Sequence, residues 1–157
     1  IAPMYDCEMM PCSKVRGFEP VKNAPADTKM PVKGTDRAGG YDFFAPETIV
    51  IPKGFSDTIW LNIKAYMQDG EEFDIKNRSS IMANRNTMLF CSGLIDADYY
   101  SNPNNDGNIG IRFLNFGEPF TIEKGDRICQ GVFSHSLPAD DTKSLGSRIG
   151  GFGSTGK

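Results

Sequence analysis

Short runs of β-forming residues, separated by turn residues, constrain the fold of this chain more than any other feature. Proline, glycine and aspartate separate the runs, as in Lys124-Gly125-Asp126. Many short strands at this spacing are typical of a β-sandwich or barrel. We therefore predict an all-β domain with at most one short helix, at residues 80–86, and expect the single tryptophan, Trp60, to lie in the core. The predicted strands lie at residues 41–45, 48–51, 58–63, 88–91, 109–116 and 128–133.

Three regions of the chain differ in composition and predict its organisation. Residues 1–34 contain five of the ten prolines and show little periodicity, so we predict an extended N-terminal arm. Residues 35–145 would form the β domain, since a chain of 157 residues is expected to hold one domain. Residues 146–157 form a glycine-rich tail that cannot build its own core and is predicted to be flexible. Its backbone N–H groups, its hydroxyls and Arg148 suit phosphate oxygens, and Phe152 offers a ring for stacking.

One acidic stretch, residues 92–100, is the candidate for chemistry. If it is extended, Asp96 and Asp98 share one face while Tyr99 lies on the other. The turn-rich segment 101–107 and a further strand-like run follow, which predicts a β-hairpin that presents acids beside an aromatic ring. Paired acids at strand ends are commonly solvated surface groups, so the motif by itself leaves a surface role open.

The net charge and the cysteines of the chain indicate which partners it could bind and in which cellular compartment it would lie. The net charge of −3 comes without a Lys/Arg cluster, which argues against nucleic-acid binding. No apolar run approaches the roughly 20 residues that a membrane span needs. The four cysteines lack Cys-x-x-Cys spacing, and Cys91 and Cys129 lie in apolar runs where buried, reduced thiols are expected. We expect a cytoplasmic protein that binds neither nucleic acid nor membrane.

Five segments of the chain carry a family resemblance. They are AGGYDF at 38–43, RSSIMA at 78–83, GLIDADY at 93–99, GDRICQ at 125–130 and GGFGSTG at 150–156. Together, and in this order, they resemble the trimeric dUTPase (dUTP nucleotidohydrolase) family. The resemblance implies a β jelly roll, a distorted barrel, assembled as a homotrimer with active sites at subunit interfaces and a tail that closes over a neighbour's site. Among dUTPases the chain most resembles those of bacteriophages of Gram-positive bacteria, which would place it in the host cytoplasm.

The resemblance implies hydrolysis of dUTP to dUMP and diphosphate, which keeps uracil out of DNA and supplies dUMP for dTMP synthesis. Asp96 matches the general base that activates a water for attack on the α-phosphorus. Tyr99 matches the ring under the deoxyribose, where a 2′-hydroxyl would clash. The uracil edge would be hydrogen-bonded by the hairpin backbone around Phe90, Gly93, Leu94, Ile95 and Gly110.

The same resemblance assigns the triphosphate and a metal. Asp42 and Gln130 match residues that hold waters of a Mg²⁺ coordinated by the substrate phosphates. In the tail, Phe152 would stack on uracil beside Gly153. The phosphates would be bound by Arg78, Ser79 and Ser80, and the γ-phosphate by Arg148, Ser154 and Thr155.

Two other functions compete with this prediction. The dCTP deaminases share the fold and an Arg-Ser-Ser segment, but Arg112 stands where their reaction needs a glutamate. A regulatory role, in which the protein binds a repressor of the host or of a mobile element, could use residues 101–106, which look like an insertion, and the N-terminal arm. This second role is compatible with catalysis.

Overall fold

The computed structural model describes residues 14–90, 93–146 and 148–151, and these form mainly β-strands. One α-helix, α1 (Ser79–Arg85), and a 3₁₀ turn (Ala97–Tyr99) interrupt the strands of this described part. The prediction of an all-β domain with at most one short helix is confirmed. In chain order the strands are β1 (Gly17–Pro20), β2 (Val32–Lys33), β3 (Tyr41–Phe44), β4 (Ile49–Ile51), β5 (Gly54–Phe55), β6 (Ile59–Trp60), β7 (Ile63–Tyr66), β8 (Glu71–Lys76), β9 (Thr87–Leu89), β10 (Leu94–Asp96), β11 (Gly110–Ile111), β12 (Phe113–Asn115), β13 (Phe120–Ile122) and β14 (Arg127–His135).

The strands pair antiparallel in separate sheets. The largest sheet has five strands in the order β10-β8-β14-β3-β2. Strand β12 lies between β5 and β9, and three further pairs join β1 with β7, β6 with β11 and β4 with β13. The strands that the structure describes do not close into a continuous barrel, so the sheets pack as separate layers of a jelly roll.

Aromatic and branched aliphatic side chains from the inner faces of the sheets form the core. Phe43, Phe73 and Phe113 are almost fully buried. Phe18 of β1 packs edge-on against Phe43 and Phe73, with ring centroids 5.6 and 5.3 Å apart. Each fully buried side chain of this size stabilises the fold by about 1.5–3 kcal/mol. The core therefore fixes β3, β8 and β14, the central strands of the five-stranded sheet.

Part of the predicted N-terminal arm lies against the domain. Strand β1 pairs with β7 over its whole length, and β2 pairs with β3. Residues 1–13 lie outside the described part of the chain. The division into arm, domain and tail therefore stays a prediction.

The predicted strand at residues 58–63 is divided in two. Asn62 has a φ of 63°, in the left-handed region that asparagine adopts more readily than most residues, so β6 ends before it and β7 begins after it. Ile59 and Leu61 face the core, and the alternation of an extended chain turns Trp60 outward between them. Trp60 is 39% exposed, so the expectation of a core tryptophan was wrong.

Helix α1 is a short surface element. It begins and ends one residue earlier than predicted, because Asn86, with a φ of 50°, is its C-cap and stops the helix after Arg85. None of its residues is buried. No helix in the described ranges is long and apolar enough to cross a bilayer.

Candidate active site

The acidic stretch changes conformation at Asp96. Strand β10 ends there, and the 3₁₀ turn at Ala97–Tyr99 follows. Asp96 precedes the turn as its N-cap and Tyr99 ends it, and both residues line one cavity. The prediction that residues 92–100 are extended was therefore wrong beyond Asp96. The turn brings the carboxylate and the aromatic ring together, whereas a strand would have separated them.

A cavity of about 190 Å³ lies between this turn, β10, β11 and the tail. Residues of the two strands contribute most of its lining, and Asp96, Tyr99 and Arg148 are among the residues that complete it. The ring of Phe90 packs instead on Phe55, with centroids 5.0 Å apart. The residues predicted for the site that line the cavity are Gly93, Leu94, Ile95, Asp96, Tyr99, Gly110 and Arg148.

Arg148 lies between two carboxylates at this cavity. Its Nη2 donates a hydrogen bond to Oδ2 of Asp96, and its Nε donates to Oδ1 of Asp98 at 2.7 Å. Its Nη1 donates to the carbonyl of Gly150 at 2.9 Å, which turns the tail over the 3₁₀ turn. The side chain of Asp96 is 46% exposed, so solvent still reaches the carboxylate. In this structure Arg148 is the counter-ion of both acids.

Tyr99 forms the inner wall of the cavity. The residue is buried, and burial raises the pKa of its hydroxyl above the ordinary value of 10. The hydroxyl is therefore neutral near pH 7 and can both donate and accept a hydrogen bond. The guanidinium of Arg148 lies 5.9 Å from the centre of the ring.

A second group of predicted residues meets on the five-stranded sheet. Asp42 of β3 and Gln130 of β14 lie directly opposite each other. Arg78 donates to Oδ1 of Asp42 at 3.3 Å and to Oγ of Ser80 at 3.2 Å, and Ser79 follows it as the first residue of α1. Asp42, Gln130, Arg78, Ser79 and Ser80 are called the sheet cluster below. It combines carboxylate and amide oxygens with hydroxyls and a guanidinium.

The amide of Gln130 has a defined orientation in the sheet cluster. Its Nε2 donates to the carbonyl of Asn77 at 2.9 Å, which directs Oε1 away from that carbonyl. A Cβ at Gly40 would lie 2.7 Å from this Oε1, so a glycine at position 40 keeps room for the oxygen. Since Gln130 and Asp42 are register partners, their side chains lie on the same face of the sheet.

The two groups are apart within one chain. Asp96 lies opposite Glu72 of β8, whereas Gln130 lies opposite Lys76 of the same strand. Two strand spacings across the sheet and four residues along it place the Cα atoms of Asp96 and Gln130 about 16 Å apart. A single copy thus presents the carboxylate cavity and the sheet cluster as separate sites.

Two arginines near these sites were not predicted as functional. Arg112 lines the cavity, donates from Nε to the carbonyl of Ser56 at 3.1 Å, and stands over the ring of Phe90 at 5.6 Å. The Nη1 of Arg127 lies 3.6 Å from Oδ2 of Asp42. Arg127 belongs to the GDRICQ segment, and this position in a family segment could have marked it as a site residue. Four residues assigned to the tail, Phe152, Gly153, Ser154 and Thr155, lie outside the described residues.

Comparisons with known proteins agree with the geometry. A family model described as dUTPase matches residues 26–156. The deoxyuridine 5′-triphosphate nucleotidohydrolase of Lactococcus lactis subsp. lactis is 43% identical over 148 residues, which cover 91% of this chain and 99% of the relative. The most informative features of this match are its length and its near-complete coverage of both chains.

Solved structures give the same result for the fold. The crystal structure of dUTPase from Streptococcus mutans matches with a TM-score of 0.74 and 35% identity, over 79% of this chain and 98% of that one. A mutant dUTPase from phage phi11 of S. aureus, solved to describe the coordination of a structural Mg(II) ion, matches with a TM-score of 0.68 and 17% identity, over 84% of this chain and 97% of that one. The second likeness shows the fold alone. Together they confirm the predicted jelly roll.

Proposed function

The chain belongs to the dUTPase family and is a dUTP-hydrolysing enzyme, and we propose that Asp96 activates the water that attacks the α-phosphorus of dUTP. The observation that carries the proposal is the cavity in which the solvent-accessible carboxylate of Asp96 and the ring of Tyr99 face one space. Sugar and α-phosphate are adjacent in a nucleotide. A base and a sugar-binding ring on one turn therefore match adjacent parts of the substrate. The products are dUMP and diphosphate.

The nucleoside would lie in the cavity. Backbone N–H and C=O groups of Gly93, Leu94, Ile95 and Gly110, next to Phe90, would hydrogen-bond the uracil edge, and a fixed backbone leaves little room for the methyl group of thymine. Tyr99 would lie under the deoxyribose. These groups select by shape and by hydrogen-bond pattern rather than by charge.

Arg148 would change partners during the cycle. In this structure the hydrogen bond from Arg148 occupies Oδ2 of Asp96 and leaves Oδ1 for a water. A triphosphate offers Arg148 a stronger anionic partner than two exposed carboxylates. We infer that substrate binding transfers Arg148 to the γ-phosphate, together with Ser154 and Thr155 of the tail, and thereby releases Oδ2 of Asp96 as well. Phe152 would then stack on uracil beside Gly153.

The sheet cluster would bind the phosphates. Arg78, Ser79 and Ser80 supply a guanidinium and hydroxyl donors for phosphate oxygens. Asp42 and Gln130 supply two oxygens, which suits Mg²⁺, because this ion keeps several waters and binds mainly through substrate phosphates. When bound, Mg²⁺ would neutralise charge that develops on the phosphates.

The separation of the two groups supports a site shared between copies, and the resemblance to the trimeric dUTPase family supports a homotrimer. With the Cα atoms of Asp96 and Gln130 about 16 Å apart, a triphosphate held by the sheet cluster of the same copy would be poorly placed for attack at Asp96. A second copy can bring its sheet cluster to the first copy's cavity. The resemblance assigns the tail to the site of a neighbouring copy, whereas Arg148 and Gly151 in this structure lie at the cavity of their own chain.

The test is release of diphosphate from dUTP with Mg²⁺, measured beside dTTP, dCTP and UTP for the wild type and Asp96→Asn. We expect release from dUTP alone, and its loss in the variant. Release by the variant at the wild-type rate would refute Asp96 as the base. Ammonia release from dCTP would indicate a deaminase instead.

Neither competing function gains support. Arg112 lies at the cavity wall where a deaminase would need a carboxylate, and the family comparisons favour dUTP hydrolysis. Binding of a regulatory protein stays a prediction. So do a phage origin and a cytoplasmic location.

A further inference from the structure

The segment predicted as an insertion, residues 101–106, is a closely hydrogen-bonded loop rather than a loose connection. Asn102 is buried at its centre. The Nδ2 of Asn102 donates to the carbonyl of Tyr99 and to Oδ1 of Asn105, both at 2.7 Å. The Oδ1 of Asn102 accepts from the backbone N–H groups of Asn104 and Asn105, both at 3.1 Å. One asparagine side chain thus satisfies three groups of the loop and the carbonyl of Tyr99 before it.

These contacts fix the direction of the hydrogen bonds at Tyr99. Oδ1 of Asn105 accepts from Asn102 and from the backbone N–H of Gly107, so the Nδ2 of Asn105 must face the Tyr99 hydroxyl. It donates to that hydroxyl at 2.8 Å, and the hydroxyl donates to the carbonyl of Asn108 at 2.6 Å. The ring of Tyr99 is therefore held through its hydroxyl by a donor on one side and an acceptor on the other.

A buried lysine ties the loop to the core. The Nζ of Lys64, on β7, donates to Oγ of Ser101 at 2.9 Å and to both carboxylate oxygens of Asp106, at 3.0 and 3.1 Å. The backbone N–H of Lys22 donates to the same carboxylate at 2.9 Å. Ser101 and Asp106, the two ends of the loop, are thus both hydrogen-bonded to the side chain of Lys64 on β7. The hydroxyl partners of Tyr99 are held rigidly from outside the cavity.

We propose that Asn105 is a positioning residue for sugar selection, which holds the ring of Tyr99 where it excludes a ribose 2′-hydroxyl. The inference rests on the proposed function, in which Tyr99 lies under the deoxyribose. Exclusion of a single oxygen atom requires a wall that does not move, because a displacement of about 1 Å would admit it. The hydrogen bond from Asn105 opposes that displacement. Selectivity for deoxyribose therefore depends on a loop that does not line the cavity.

The testing variant is Asn105→Asp. Aspartate has nearly the same shape and can still accept from Asn102 and Gly107, but its second oxygen cannot donate to Tyr99. The Tyr99 hydroxyl has one proton and can then bond either this oxygen or the Asn108 carbonyl, so one of the two contacts that hold the ring is lost. The matched control is Asn23→Asp, which makes the same change of charge on an exposed residue. Asn23 and the loop line a second cavity, separate from the one at Asp96. We expect the ratio of kcat/KM for dUTP to that for UTP to fall about tenfold in Asn105→Asp and to stay unchanged in the control.

A double mutant separates positioning from a general effect on folding. Tyr99→Phe removes the hydroxyl and is expected to lower the dUTP/UTP ratio by itself, after which Asn105→Asp should change the ratio less than about twofold. The inference is overturned if Tyr99→Phe leaves the ratio unchanged, or if Asn105→Asp lowers it equally in both backgrounds. A wild type that does not hydrolyse dUTP refutes the proposed function instead. An active wild type whose ratio survives Asn105→Asp refutes only the positioning role.

Discussion

Replacing Lys64 by methionine is expected to lower the free energy of unfolding by about 2–3 kcal/mol, because it leaves a partly buried carboxylate without its cation. Lys64 is 7% exposed, and the side chain of Asp106 is 18% exposed. Removing one partner of a fully buried pair costs about 3–5 kcal/mol. Asp106 keeps some solvent and the bond from the Lys22 N–H, so we expect a smaller loss. Methionine preserves most of the apolar packing of the lysine stem.

The pKa of Asp106 gives this prediction a pH dependence. Burial raises the pKa of the carboxyl, but the hydrogen bonds from the Lys22 N–H and from Lys64 outweigh burial, so the pKa lies below its usual value of 3.8. A carboxyl with a lowered pKa stabilises the folded state above its unfolded pKa, and this contribution is lost as the pH falls through the folded pKa. The difference in the free energy of unfolding between the wild type and Lys64→Met should therefore have its full value at pH 7 and shrink below about pH 4.

The assay is urea unfolding followed by the fluorescence of Trp60, at one protein concentration because subunit association would add to the measured stability. Lys124→Met is the control. Lys124 also pairs with an aspartate, Asp27, at 2.6 Å, but both side chains are exposed, so the loss should be much smaller than at Lys64. Equal losses in the two variants, or a loss at Lys64 that does not change with pH, would refute the assignment of a stabilising buried pair.

Four further predictions concern catalysis and packing. Asp96→Asn should lower kcat about 10³-fold and Asp98→Asn less than tenfold; equal losses in steady-state assays would contradict the roles given to the two acids. Chelation of divalent cations should lower diphosphate release at least about tenfold, with recovery when excess Mg²⁺ is added, and full activity in chelator would exclude the metal. Gly131→Ala should destabilise the fold by about 1–3 kcal/mol, because its Cβ would lie 2.2 Å from the ring of Phe73, and an unchanged thermal midpoint would contradict this packing. Burial raises the pKa of the Cys129 thiol, so iodoacetamide should leave it unmodified in the folded protein; peptide mass spectrometry that finds it alkylated would show an accessible thiol.

Some of the strands with apolar alternation could be predicted from the sequence, whereas a strand of mostly charged residues was missed. Strand β3 lies within the predicted run 41–45, and β14 contains the predicted run 128–133 and extends beyond it at both ends. Strand β8, between them and β10, was not singled out, because four of its six residues are charged. Its buried positions Phe73 and Ile75 alternate with Asp74 and Lys76, which is the pattern of a strand with one buried face. The signal was present but short, and charged residues have low strand propensity.

The residues of the candidate site could be named from family segments, but their arrangement could not. Asp42 and Gln130 are far apart in the chain, and only the register of β3 against β14 places them opposite each other. The counter-ion of Asp96 is another example, since nothing in the tail sequence directs Arg148 to the two acids. Strand register and side-chain pairing depend on tertiary packing, which local patterns do not encode.

The turn at Ala97–Tyr99 shows that the local backbone conformation decides whether Asp96 and Tyr99 can contact the same substrate. With a period of two, Asp96 and Tyr99 would point to opposite faces of a sheet and could not contact one substrate. With a period of three they share a side, and both line one cavity. The loop that follows then holds the Tyr99 hydroxyl through Asn105 and Asn108, so the short turn does not have to maintain the geometry by itself. Because a 3₁₀ turn of three residues is only weakly stable in isolation, we infer that the hydrogen-bonded loop, anchored on Lys64, is what keeps the acid and the ring facing the same space.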